Sequence, residues 1–114
     1  MKDVSKEFEF KGKKYRLVFN LNVMEEIQEE YGTLDKWGAL TDGKSQEVSA
    51  KAVKFGFTAM LNEGIDIDNE NREEKVEPFT QKQVGRLLTE IGLEEMTNKL
   101  NSVVIESTKS VEKN

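Results

Sequence analysis

Tyr15–Trp37, YRLVFNLNVMEEIQEEYGTLDKW, is the stretch whose reading decides the fold. Tyr15, Leu17 and Phe19 alternate with Arg16 and Val18, the two-residue period of a half-buried strand. From Asn20 the period lengthens to that of a helix. Asn20 is a good N-cap, and with it in that place Phe19 and Met24 occupy the two positions of a hydrophobic staple. Met24, Ile27 and Tyr31 follow at helical spacing as the buried face, and Gly32 supplies the left-handed residue that ends the helix. Thr33 then caps a short turn carrying Leu34 and Trp37, the chain's only Trp, ahead of a loop from Gly38 to Gly43. A strand that runs straight into an amphipathic helix needs a partner strand before it and covering helices after it.

The partner strand lies upstream, where Phe8 and Phe10 alternate with Glu7, Glu9 and Lys11. A type II′ turn at Gly12-Lys13 sets Phe10 opposite Tyr15, Glu9 opposite Arg16 and Phe8 opposite Leu17. That register gathers the aromatic side chains on one face and an opposite-charge pair on the other.

The covering helices lie downstream. Ser45 opens the first, with Glu47 in its first turn. Val48, Ala52, Val53, Phe55, Phe57, Ala59, Met60 and Leu61 leave only a narrow polar stripe of Ser49, Lys51, Lys54, Thr58 and Asn62, the pattern of a helix covered on several sides. Gly56 marks a close crossing and Gly64 the helix end. Residues 65–78 are acidic, lack a period and carry the only Pro, which reads as a mobile surface loop. Thr80 and Gln83 then form a capping box, flanked by Phe79 and Val84 as a staple. Val84, Leu87, Leu88 and Ile91 make the apolar face of a helix closed by Gly92, and Met96, Leu100, Val103 and Val104 line one side of a last helix from Leu93.

The expected fold is therefore α+β and mainly α: an N-terminal β-hairpin followed by three to four main helices packed as a small bundle. With 114 residues the chain is one domain's worth, residues 1–114, with an ordered core of about 7–105 and flexible ends at 1–6 and 106–114.

Composition narrows the function. Hydrophobic residues make up 36% and charged residues 34%, and the net charge is −5, an unfavourable balance for a phosphate backbone. Nucleic acid is not an expected partner. The chain has no Cys and no His, so it lacks thiolate and imidazole ligands and the usual general base near neutral pH. No run is long and apolar enough to span a bilayer, and the first residues lack the apolar segment of a secretory signal. An intracellular protein without membrane attachment is expected.

Four groups of residues are candidates for chemistry. Glu25, Glu26, Glu29 and Glu30 have the i, i+4 spacing of helical carboxylate metal sites, but those sites add a Glu-x-x-His element, so a solvated helix face is expected. Asp66, Asp68, Glu70 and Glu77 fall at the first, third, fifth and twelfth positions of an EF-hand loop. Asn71 replaces the sixth-position Gly and Glu73 stands at the apolar eighth, so an ordinary acidic loop is expected. Lys11, Lys13, Lys14 and Arg16 concentrate positive charge at the hairpin tip, more suited to an acidic protein surface than to RNA. Trp37 reads as a partly buried anchor on the first helix, with an exposed partner contact as the second reading. No P-loop, dinucleotide fingerprint or placed nucleophile is present, so no catalytic, cofactor-binding or metal residue is expected.

The order of features carries a resemblance. A hairpin with FKGKKYRLVFNLNVMEEIQEEYG, a Trp turn, the apolar VKFGFTAMLNEG helix and PFTQKQVGRLL before a final helix together resemble the phage tail assembly chaperones, the small proteins of siphophages and gene transfer agents. The resemblance spans about Phe8 to Val104. It implies a non-enzymatic protein of the infected bacterial cytoplasm that binds the tape measure protein, helps recruit tail tube subunits and is absent from the finished virion. It implies no catalytic residues and no cofactor. Client contacts are expected on the last two helices or around Trp37, and self-association is left open. The alternatives are a small tail or head-tail completion protein retained in the virion and, more distantly, an acidic regulator of a host protein.

Overall fold

A computed structural model of the protein describes residues 4–44 and 46–112. Strands β1 (Ser5–Phe10) and β2 (Lys13–Val18) form an antiparallel hairpin, followed by α1 (Leu21–Tyr31), α2 (Leu34–Thr41), α3 (Ala50–Asn69), α4 (Gln81–Ile91) and α5 (Leu93–Glu112). The class is the expected one, α+β and mainly α. Five helices are present among the described residues, because the expected Trp37 turn and the Gly38–Gly43 loop together form α2 as far as Thr41.

The hairpin register differs from expectation. Phe8 faces Tyr15, Glu7 faces Arg16 and Phe10 faces Lys13, a displacement of two residues. Lys11 and Gly12 both take positive φ, 52° and 77°, so the turn is type I′ on Lys11-Gly12 rather than type II′ on Gly12-Lys13. Type I′ matches the strand twist, and here a Lys accepts the left-handed conformation usually given to Asn or Gly. A displacement of two preserves the face of every side chain. Phe8 therefore still packs inward, its ring centroid 5.8 Å from Tyr15 and 5.5 Å from Phe57, while Tyr15 meets Phe79 edge-on at 5.4 Å.

Asn20 caps α1 as expected, its Oδ1 accepting from the Val23 N–H at 3.2 Å. The helix buries Val23 and Ile27, while Met24 and Tyr31 are only half-buried. The inward stripe is thus centred on Val23, leaving Tyr31 to pack edge-on against Phe55 at 5.5 Å.

Helix α3 is the axis of the molecule and buries eight of its residues, among them Val53, Phe57, Met60 and Leu61. The helix does not start near Ser45, a residue outside the described ones: 46–49 are non-helical, so Glu47 precedes the helix, which begins at Ala50 with Ser49 Oγ accepting from the Ala52 N–H at 3.2 Å. Gly64 does not end it. A Cβ there would lie 2.4 Å from the Arg16 carbonyl oxygen, so this glycine serves the crossing of β2 over α3. Gly56 does mark a close crossing: a Cβ would lie 2.3 Å from Trp37 Cζ2.

The segment expected to be a mobile loop is tied down. Residues 65–69 continue α3, with Ile65 buried. Two side-chain amides on α3 then pair with the following backbone as a neighbouring strand would. Asn69 donates to the Val76 carbonyl and accepts from its N–H at 2.9 and 3.0 Å, and Asn62 does the same for Phe79 at 2.9 and 2.8 Å. Arg16 of β2 reaches Asp68 with Nη2 at 2.9 Å and Nε at 3.3 Å, adding a forked link between hairpin and helix.

The Thr80–Gln83 capping box is present, and Val84, Leu87 and Leu88 are buried as expected. On α5, Met96, Leu100, Val103 and Val104 are buried. Regular structure extends past the expected core at both ends, since β1 starts at Ser5 and α5 runs to Glu112. Lys99 Nζ donates to the Glu7 carbonyl at 2.9 Å and Lys6 pairs with Glu106 at 3.2 Å, which joins β1 to α5. The remaining flexible-end expectations, residues 1–3 and 113–114, lie outside the described residues. No described helix is long and apolar enough to cross a membrane.

Candidate partner-binding groove

Helix α2 exists because Thr33 caps it, its Oγ1 accepting from the Lys36 N–H at 3.0 Å, and because Asp35 sits in the first turn where the helix dipole favours a carboxylate. Its inner face carries Trp37, only 1% exposed, with Nε1 donating to the Ala52 carbonyl at 2.8 Å. Trp37 is therefore a fully buried anchor wedged over Gly56, more enclosed than the sequence suggested. At the far end of α2, Asn101 Nδ2 of α5 donates to the Thr41 carbonyl at 3.1 Å, and Thr41 Oγ1 donates to Asn101 Oδ1 at 3.3 Å.

These ties hold α2 and α5 together while leaving an open groove of about 790 Å³ between them. Leu34, Ala39, Val104 and an edge of Trp37 supply its apolar lining, and Ile105 stands in its wall with 60% of its surface exposed. Asn98, Ser102 and Thr108 add uncharged polar positions. The charged lining is Asp35, Asp42 and Glu106 against Lys44 alone. An apolar strip with polar edges is the form that accepts the apolar ridge of an amphipathic helix. The acidic excess favours a helix with basic flanks. Of the regions expected to meet a client, the Trp37 neighbourhood and the last helix, α5, line this groove together, whereas α4 supplies no residue to it.

The other groups fall elsewhere. Glu25, Glu26, Glu29 and Glu30 lie exposed along α1. Glu26 has its carboxyl raised above the usual range, first by partial desolvation and then by the negative charges of Glu63, Glu29 and Glu25. Glu63 itself accepts from Asn20 Nδ2 at 2.7 Å and Asn22 Nδ2 at 3.1 Å, binding α1 to α3.

Asp66 and Asp68 sit on α3, and Asp68 is engaged by Arg16. Helical geometry there removes the first half of the loop an EF-hand requires. Among the described residues no group of three or more Asp or Glu side chains is placed to hold a metal ion. Lys11, Lys13 and Lys14 are exposed at the hairpin tip, with Lys11 Nζ 5.4 Å from the Phe10 ring centroid, while Arg16 is drawn away to Asp68.

Sequence reasoning missed the clamping roles of Asn62 and Asn69. Their signal was available: two Asn seven residues apart fall on one face of a helix. No protein-family model, curated protein or solved structure matches this chain.

Proposed function

We propose that the protein is a non-enzymatic phage tail assembly chaperone, working in the cytoplasm of the bacterial host, which binds the tape measure protein and helps recruit tail tube subunits. The observation that carries this reading is the α2–α5 groove, where an exposed Ile105 stands beside an apolar floor and an acidic rim. A long helical client presents apolar ridges that aggregate if left bare, and a groove of this form covers one such ridge while the charged exterior keeps the complex dispersed. The order of hairpin, Trp helix, apolar central helix and capped fourth helix supports the same assignment.

The test is co-expression with a phage tape measure protein. A soluble complex of the two is the expected result. An insoluble client with no complex formed would remove the main support. Purified virions supply the second arm: a chaperone is missing from them, whereas a tail or head-tail completion protein is retained.

A further inference from the structure

A second surface lies between α4 and the N-terminal half of α3, sharing no lining residue with the α2–α5 groove. Two adjoining hollows meet there at Lys54, Gly85 and Thr89 and so form one channel. The first, about 470 Å³, is apolar: Ala50, Leu88 beneath, and Leu93 at 42% exposure. The second, about 450 Å³, is bordered by Lys54, Lys82 and Arg86, with Glu90 as its only carboxylate. None of these three cations makes an ion pair among the described residues. The Lys54 stem crosses the channel floor at Gly85, 3.6 Å from where a Cβ would stand, which is ordinary contact distance.

We infer that this channel is a docking surface for an acidic amphipathic helix of a partner protein. Charge complementarity selects the occupant. On a chain of net charge −5, three unpaired cations beside an apolar strip form a local reversal of sign. Lys82 and Arg86 are four residues apart on α4, so they rise about 6 Å along one face, the spacing of glutamates at i and i+4 on a docked helix. The apolar half distinguishes a peptide from a nucleic acid. Single strands bind by stacking on aromatic side chains, and the channel lining has none.

The surface is tested on the full chain by fluorescence anisotropy with three labelled probes: a designed amphipathic helix with a leucine ridge flanked by glutamates, its lysine-flanked twin, and oligo(dT). The glutamate-flanked helix is expected to bind best, against the sign of the whole protein. The double variant Lys82→Glu/Arg86→Glu, and the milder Lys82→Gln/Arg86→Gln, change exposed side chains and leave the melting curve in place. The double reversal is expected to weaken the glutamate-flanked helix at least about tenfold. Leu93→Ser is expected to weaken it too, and Ile105→Asp to leave it unchanged. The inference is overturned if the lysine-flanked helix binds equally well, if oligo(dT) is bound more tightly than either peptide, or if neither double variant alters affinity.

Discussion

Replacing Gly64 with alanine sets two known effects against each other. In a helix interior the change is worth about 1 kcal/mol in favour of alanine, because the unfolded glycine has more freedom to lose. Here the new methyl group would lie 2.4 Å from the Arg16 carbonyl oxygen. The obstructing atom is backbone, held by hairpin pairing and by the Arg16–Asp68 fork, so a rotamer change cannot relieve it. Strand β2 must retreat by about 1 Å, loosening fully buried Leu17 from its neighbours. Overpacking of this kind costs about 1–3 kcal/mol, and a rigid obstacle belongs at the upper end, so a net loss of about 2 kcal/mol is expected.

Gly56→Ala meets Trp37 Cζ2 at 2.3 Å and should behave likewise. Gly85→Ala and Gly38→Ala are the controls. The nearest atom to a Cβ is 3.6 Å away at the first, and nothing lies within 4 Å at the second, so both should gain up to about 1 kcal/mol. Urea unfolding followed by far-ultraviolet circular dichroism reads all four without relying on the Trp that one of them disturbs. If Gly64→Ala proves as stable as Gly85→Ala, the crossing of β2 over α3 is not the tight contact described.

Thr80→Ala removes one half of the capping box and should cost about 1 kcal/mol in the same unfolding assay. Asp68→Asn weakens the partly exposed fork to Arg16 and should cost roughly 1 kcal/mol, with the loss shrinking in high salt. Glu26 titrates above its ordinary range in the fold, so the folded state binds a proton more readily than the unfolded one, and stability falls as pH rises through the carboxylate range. Glu26→Gln should therefore stabilise the protein at pH 7 and lose that advantage in acid, where Glu26 is already protonated. A chemical-denaturation series across pH checks the crossover.

Local chemistry explains what was legible beforehand. Asn20 and the Thr80–Gln83 box cap the helices they were expected to cap, and Thr33 caps at the expected place although a helix follows it rather than a short turn, because capping depends on residues within one turn. The faces of β1 and β2 were likewise readable from a period of two. The turn type was not, since Lys11 carries no signature of a left-handed residue. The roles of Gly64, Asn62 and Asn69 depend on what arrives from elsewhere in the chain: a strand carbonyl for the glycine, a returning loop backbone for the two amides. The groove was half visible, as Trp37 and the last helix stood out separately. Only packing through Thr41 and Asn101 brings them onto one surface.

The central claim, that this groove covers a ridge of the tape measure protein, is tested most directly by the soluble fraction of that protein on co-expression with the parent chain and with Ile105→Asp. The substitution changes a side chain 60% exposed and should leave the fold intact. The account expects the client to be soluble with the parent chain and to move to the pellet with Ile105→Asp. A client that stays equally soluble with both contradicts the groove assignment, and one that is insoluble with both contradicts the chaperone reading itself.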